Sequence, residues 1–491
     1  VRRARVDDDK VLVPRARQLE AVLAARLRQI REELELPESF APEVEAEARE
    51  VVQVPVAPEL DLEHVPFVTI DPPTSTDLDQ ALQIERSGEG YTVRYAIADV
   101  PAFVRPGGAI DEAARARGQT LYAPDGRIPL HPTTISEGAA SLLPDQARSA
   151  YVWTFALDSS AAVTATTLER ARVRSRRRYS YEEAQRMLDA GTAEESLTLL
   201  REVGTLRVVL ERERGGASLN RPDEEITVEN GRYTLTRRAP HPVENWNAQL
   251  SLMTGMAAAT IMLDGRIGIL RTMPAPSTET LETFRRQVAA LGCPWPEGQP
   301  YGEFLRSLDH SDPAGLAATH AAASLFRGAG YTAFDGELPS DVIQAAVAAP
   351  YAHSTAPIRR LVDRFVLVTC EALLSGRPVP GWVCEALPSL PGLMSRSAGL
   401  ASRLENLSVD AIEAALLAAR VGEVFEAVVI AARDGVAKVQ LEEPLVMAAV
   451  ETTAAPGESI HIRLVAADIT TGTVEFRPEV SQSLLPEAGE G

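Results

Sequence analysis

Residues 67–82 read Phe-Val-Thr-Ile-Asp-Pro-Pro-Thr-Ser-Thr-Asp-Leu-Asp-Gln-Ala-Leu, an apolar run broken by three carboxylates and a proline pair before the chain turns apolar again. The first four residues have the length and β-branched content of a buried strand. Pro72 and Pro73 offer no backbone donor and enforce a stiff turn at its end. Asp77 and Asp79 share a face if the chain is extended there, so with Asp71 they place three carboxylates within nine residues. That donor set suits a hard, oxygen-seeking cation, Mg²⁺ first. Two such ions about 3.5–4 Å apart activate a water and stabilise the leaving oxygen in phosphodiester hydrolysis. The plain alternative is a capped turn, because Asp, Ser, Thr and Pro are also the ordinary turn formers.

Working outward, residues 91–99 and 150–157 alternate as strands, and the Asn230-Gly231 pair between two alternating runs at 225–236 predicts a tight hairpin. Helical spacing covers 181–213, 243–264, 278–291, 357–375 and 392–419. Residues 14–53 also read as two or three helices, with a Pro-containing break near 37–42. From Val421 onward, short alternating strands with an Asp434-Gly435 turn suit a small five-stranded OB-fold barrel. The expected organisation is a helical segment over 1–60, possibly of helix-turn-helix type, a mixed α/β (α+β) catalytic domain over 61–419, the barrel over 420–480 and a flexible tail over 481–491. The barrel run contains two aromatics, Phe425 and Phe476, and more acids than bases, so its pattern supports the fold more than it supports RNA binding.

Composition sets outer bounds. At 491 residues, 45% apolar and 24% charged, the chain is an ordinary globular protein and neither fibrous nor disordered. No apolar run approaches the ~18–20 residues of a membrane span, and the charged N-terminus is unlike a signal peptide, so the expected location is cytoplasmic. Cys293, Cys370 and Cys384 lack CxxC spacing, which argues against a disulfide framework or a structural zinc site. The seven histidines show no HxxxH or HD spacing, which disfavours a histidine-based hydrolase. A net charge of −20 repels nucleic acid unless basic residues gather in one place. The alternating arginines 170, 172, 174, 176 and 178 are the candidate gathering for lining an RNA path, with Arg176 and Arg178 as RNA-binding candidates; a plain surface strand is the competing reading.

Five words of the sequence, in order, resemble the ribonuclease II / ribonuclease R (RNB-domain) family of exoribonucleases. They are FVTIDPPTSTDLDQAL (67–82), AIADV (96–100), LYAPDGRIPLHP (121–132), SEGAASLLPDQ (136–146) and YAHSTAPIRRLVD (351–363). The resemblance implies processive 3′→5′ hydrolysis of single-stranded RNA with a free 3′ end, releasing nucleoside 5′-monophosphates. It also implies an RNA-binding role for the barrel. It assigns Asp71, Asp77 and Asp79 to Mg²⁺, with Mn²⁺ a possible substitute, and to the attacking water. Tyr122 then stacks on the terminal nucleotides, Arg359 contacts the scissile phosphate with Arg360 assisting, and Glu405 helps hold the 3′ end. The protein is expected to act as a monomer without an obligate protein partner.

The sequence departs from the family at three places. A fourth aspartate normally follows the third, and here it is Gln80. Acidic positions in a later helix are replaced by Ala248 and Gln249, with Glu244 or Asn247 as candidate substitutes. The aromatic that sandwiches the bases opposite the tyrosine is Leu219. Two rival readings follow: a catalytically degenerate RNA-binding protein of the same fold, and an endonuclease or DNA-directed phosphodiesterase.

Overall fold

The computed structural model describes residues 9–54, 58–217, 223–229, 232–238, 240–309, 312–441 and 443–479. Its centre is a sheet of six strands: β1 (Leu60–Asp61), β2 (Phe67–Ile70), β3 (Gln80–Ser87), β4 (Gly90–Ala98), β7 (Ala147–Leu157) and β8 (Val163–Tyr179), in the order β1-β8-β2-β3-β4-β7. The small hairpin β5 (Leu121–Ala123) and β6 (Gly126–Ile128) stands apart from it. Strand β8 closes the sheet. Its 17 residues pair antiparallel with β7 through Arg174, and then parallel with β2 from Ser175 to Tyr179. All four residues of β2 are buried, as its unbroken apolar run requires.

The main core lies against one face of this sheet. Trp153, Phe155, Tyr95 and Tyr151 pack there with Leu250, Met253 and Met262 of the helix Pro242–Gly265 and Phe365 of the helix Leu361–Leu374. A second core holds Val44 and Ala48 of helix α2 (Pro42–Val51), Ile110 of helix α3 (Ala109–Arg117), Phe67 and Leu78. Helix α1 (Asp9–Glu33) runs along the long helix Leu390–Leu417, while α2 lies against α3. The hairpin expected at 225–236 pairs Glu229 with Arg232; its Asn-Gly turn lies outside the described residues, as does Leu219.

C-terminal to the long helix, five strands from Val424 to Pro478 form a barrel in which the fourth strand pairs with the first, and its interior contains Phe425, Val429, Val439, Leu464 and Phe476. The fold class is as the sequence indicates, an α+β catalytic-type domain followed by an OB-type barrel. Phe425 and Phe476 meet edge-to-face at 5.9 Å and are almost fully buried, so they build the barrel and offer no platform for bases. No helix among the described residues is long and apolar enough to cross a membrane.

One helix begins later than its spacing suggests. The segment at 357–360 is not helical, and the helix starts at Leu361, after an extended Arg360. The backbone there is drawn into other partnerships. Thr120 N donates to Arg359 O at 2.9 Å, Leu361 N to Gly118 O at 3.0 Å, and Ile358 N to an Asp79 carboxylate at 2.8 Å. Arg359 therefore sits on a pinned turn rather than on a helix surface.

Candidate active site

The carboxylate loop between β2 and β3 is clamped along its length. Asp71 N donates to Tyr179 O at 3.0 Å, extending the β2–β8 pairing by one residue. Arg178 donates to Ser75 O at 2.5 Å and Pro73 O at 3.1 Å, bracing the proline turn that has no donors of its own. Ser141 Oγ donates to Thr76 O at 2.7 Å and accepts from Leu78 N at 2.9 Å, while Leu78 is wholly buried. Arg127 reaches in from β6 and donates to Asp77 Oδ1 at 2.5 Å and Thr76 Oγ1 at 2.6 Å, while pairing with Glu137 at 2.8 Å.

The three aspartates thereby acquire different characters. Asp79 is 5% exposed; one oxygen accepts from Ile358 N, and the other lies 3.6 Å from Arg359 Nε. Burial pushes its carboxyl well above the ordinary range, with the Arg359 charge opposing. Asp71 Oδ2 is buried with no hydrogen-bond partner, and burial lifts this carboxyl to about 6 against the pull of Arg359 and Arg178. Asp77 is the paired one, held by Arg127. A buried, unpartnered carboxylate oxygen is costly unless something positive meets it.

Gln80 is a strut. Its Nε2 donates to Thr355 O at 2.6 Å and its Oε1 accepts from Tyr95 OH at 2.8 Å, so both ends of the amide are committed. Tyr95 also meets Ser251 Oγ at 2.9 Å, linking β4 and the helix Pro242–Gly265 to the segment 354–360. Arg360 behaves likewise. It grips Asp363 at 2.5 and 2.8 Å, while Asp363 Oδ1 also accepts from Ala356 N at 2.8 Å. Arg359, by contrast, is half-exposed and, among the described residues, pairs with Asp79. It lines a cleft of about 390 Å³ with Gln119, Thr120, Tyr122, Ala401 and Glu405.

The structure thus gathers Arg359, Tyr122 and Glu405 at one cleft, next to Asp79. Tyr122 is 55% exposed, unusual for a large aromatic, and Glu405 is exposed on the long helix. Arg360 lines the same cleft although its guanidinium is committed to Asp363; the candidates outside this cleft and the carboxylate loop are placed elsewhere. In the arginine run, Arg170 pairs with Asp99, Arg172 with Asp61 and Glu63, and Arg174 with Glu63; Arg176 donates to Glu63 O. The run is a ladder binding β8 to its neighbours, and Arg178 ends it on the carboxylate loop. Glu244 caps its own helix through His241 N and pairs with Arg238. Gln249 is buried and donates to Glu211 at 2.5 Å, and Ala248 is exposed.

Residue-by-residue reading missed the clamps: Arg127, Glu137, Ser141, Tyr95 and Thr355. Each lies in or beside one of the recurrent words, which was the available signal. Among the described residues no three His, Cys, Asp or Glu side chains stand close enough to hold a metal ion by themselves. The donors that fit a hard cation are Asp71, with its orphan oxygen, and Asp79. A second ion would call on Asp77 and position 80, and both are engaged.

A closed mixed sheet with buried carboxylates beside an arginine and an exposed tyrosine, followed by an OB-type barrel, defines a two-module chain. Comparison with known proteins identifies both modules. The RNB domain matches residues 59–376, and the RNase II-type exonuclease C-terminal S1 domain matches residues 423–479. The chain belongs to the RNB-domain family. It is 29% identical over 348 residues to ribonuclease R of Escherichia coli strain K12, covering 67% of this chain and 42% of that protein. The chain thus spans about two fifths of the length of that relative. Its fold matches Mycoplasma genitalium RNase R, solved in complex with ribose-methylated single-stranded RNA, with a TM-score of 0.85 at 18% identity, over 93% of this chain and 78% of that one. Yeast Ssd1, described as a pseudonuclease, matches with a TM-score of 0.67 at 16% identity, over 84% and 52%.

Proposed function

We propose that this protein is a divalent-metal-dependent exoribonuclease that removes nucleoside 5′-monophosphates from the 3′ end of single-stranded RNA, acting as a cytoplasmic monomer. The observation that carries the reading is Arg359. It is an accessible guanidinium on a pinned turn, 3.6 Å from a buried aspartate and beside an exposed tyrosine. A planar fork fixed there binds a scissile phosphate and offsets charge developing on its oxygens. Tyr122 offers a ring face for the terminal base, and Glu405 an acceptor for the hydroxyls of the last ribose. Asp71 and Asp79 would hold the cation, which when bound supplies a nucleophilic water at neutral pH and Lewis acidity at the phosphate. Arg178, Arg127 and Ser141 keep the loop from recoiling when the two carboxylates are both charged.

Gln80 and the Asp77–Arg127 pair favour a second reading, an RNA-binding protein that has lost catalysis. Both readings meet the same experiment: 5′-labelled unstructured RNA and a matching DNA, incubated with Mg²⁺, Mn²⁺ or EDTA, with Asp79→Asn in parallel. A metal-dependent ladder on RNA that ends in a short fragment with monophosphate release, absent in the variant and on DNA, supports the enzyme. Tight binding with no degradation under any metal selects the binding protein, and cleavage of circular RNA points to endonuclease action.

A further inference from the structure

The hairpin β5–β6 carries Tyr122 in a pair of three-residue strands that join no larger sheet, and so short a pair has little stability of its own. Along β5 the side chains alternate. Leu121 is 4% exposed and points away from the cleft, with Ala123 packed on the same side, while Tyr122 stands on the opposite face. Leu121 and Ile128 of β6 belong to one hydrophobic cluster with Leu404 and Ile412 of the long helix, on which β5 packs, and with Leu23, Leu27 and Ile30 of α1, which packs along that same helix. Ala401, which lines the cleft, packs on this same cluster. The hairpin turn is tied as well: Arg31 Nη1 pairs with Asp125 at 2.6 Å, and both side chains are largely shielded. Helix α1 therefore supports the two walls of the cleft, the tyrosine hairpin and the long helix.

We infer that α1 is a positioning element for the 3′-terminal nucleotide, with Arg31 the positioning residue that, through Asp125, sets the Tyr122 ring at the height of the terminal base. The inference rests on the proposed stacking role of Tyr122 and adds a role for a segment that the fold could hold for packing alone. Arg31 touches no reacting atom. It acts through Asp125, three residues after Tyr122 and two before Arg127, so a shift of the turn reaches both the base platform and the Asp77 clamp.

The test uses the full chain and a short RNA with 2-aminopurine at its 3′ terminus, whose fluorescence falls when the base stacks. Binding and quenching are read in EDTA, then KM and kcat in Mg²⁺, alongside thermal melts. Arg31→Ala and Asp125→Ala are each expected to weaken 3′-end binding and raise KM by about 3- to 5-fold, the scale of one shielded ion pair, with the quench reduced and the melting temperature little changed. Arg31 Nε also pairs with Glu38 at 2.6 Å, a contact that Asp125→Ala spares, so the double variant should be no worse than Arg31→Ala. Arg31→Lys should recover most of the quench. If Tyr122→Ala abolishes quenching while Arg31→Ala and Asp125→Ala leave it at the wild-type level, the stacking reading stands and this inference is overturned. If Tyr122→Ala itself leaves quenching intact, the stacking reading falls and the inference falls with it. Additive losses in the double variant also overturn it.

Discussion

Gln80 shows how a substitution at a family position is settled by what its neighbours have become. Tyr95 OH and Thr355 O use both ends of its amide, and burial pushes the Tyr95 phenol up, so that group remains a donor across the working pH range. A carboxylate at this position would accept from Tyr95 but face Thr355 O with no proton to offer. Gln80→Asp is accordingly expected to cost about 1–3 kcal/mol in denaturant unfolding, without strengthening Mg²⁺ binding in a calorimetric titration. Arg359 is the opposite case, half-exposed and lightly held. Arg359→Ala should lower kcat about 10²- to 10³-fold while leaving the melting temperature within a few degrees, measured on single-stranded RNA under saturating metal. The aspartates and Arg359 were legible because they sit inside short words. Arg127 was not, since its partners Thr76, Asp77 and Glu137 lie in two other words and nothing along the chain announces the meeting.

At the scale of elements, strand pattern translated well in the barrel, where period-2 alternation records which face meets the core, and also in β4 and β7, whose alternation sorts large side chains (Tyr95, Tyr151, Trp153) into the main core and small ones (Ala96, Ala98, Ala150) into the second. In β8 the even-numbered arginines line one side, as the alternation indicates, and there they meet Asp99, Asp61, Glu63 and backbone carbonyls, with Arg172 and Arg176 still exposed. A charge run carries no information about its partners until the sheet order brings β1 and the carboxylate loop alongside. Arg178→Ala should therefore act on the loop: a several-fold loss of kcat with RNA binding nearly unchanged, checked by separate binding and turnover measurements. The helix start was misplaced for a related reason. Pro357 is a sound N-terminal signal, yet Gly118, Thr120 and Asp79 claim the backbone of 358–361 first. In the barrel, Phe425→Ala should destabilise by about 3–5 kcal/mol if the barrel unfolds with the rest, whereas loss of RNA contact at that ring is not expected, since it is 5% exposed.

For the whole molecule, the five words are remote in sequence and convergent in space. Residues from β2, β6, β8, the segment around Ser141 and the turn at 355–360 all terminate on the one carboxylate loop. His131 belongs to this assembly. It is buried, reaches the backbone of Pro357, and is held down to about 3 by burial and by the nearby Arg364 charge. The unfolded chain takes a proton on this ring below about pH 6.5, while the folded protein refuses it until far lower, so stability falls as pH drops through that window. His131→Gln should flatten the decline by roughly 2–3 kcal/mol between pH 7 and 4.5, read as the difference between denaturant curves of the two proteins. The same convergence has a consequence for how the molecule comes into being on the ribosome. Asp71 and Asp79 leave the tunnel early, but the backbone donor of Ile358 and the Arg360–Asp363 grip that fixes it arrive almost three hundred residues later. A nascent chain shorter than that holds carboxylates without their turn or their arginine, so the proposed RNA-cutting capacity would be born inert beside its own message and would become competent only after the domain is complete.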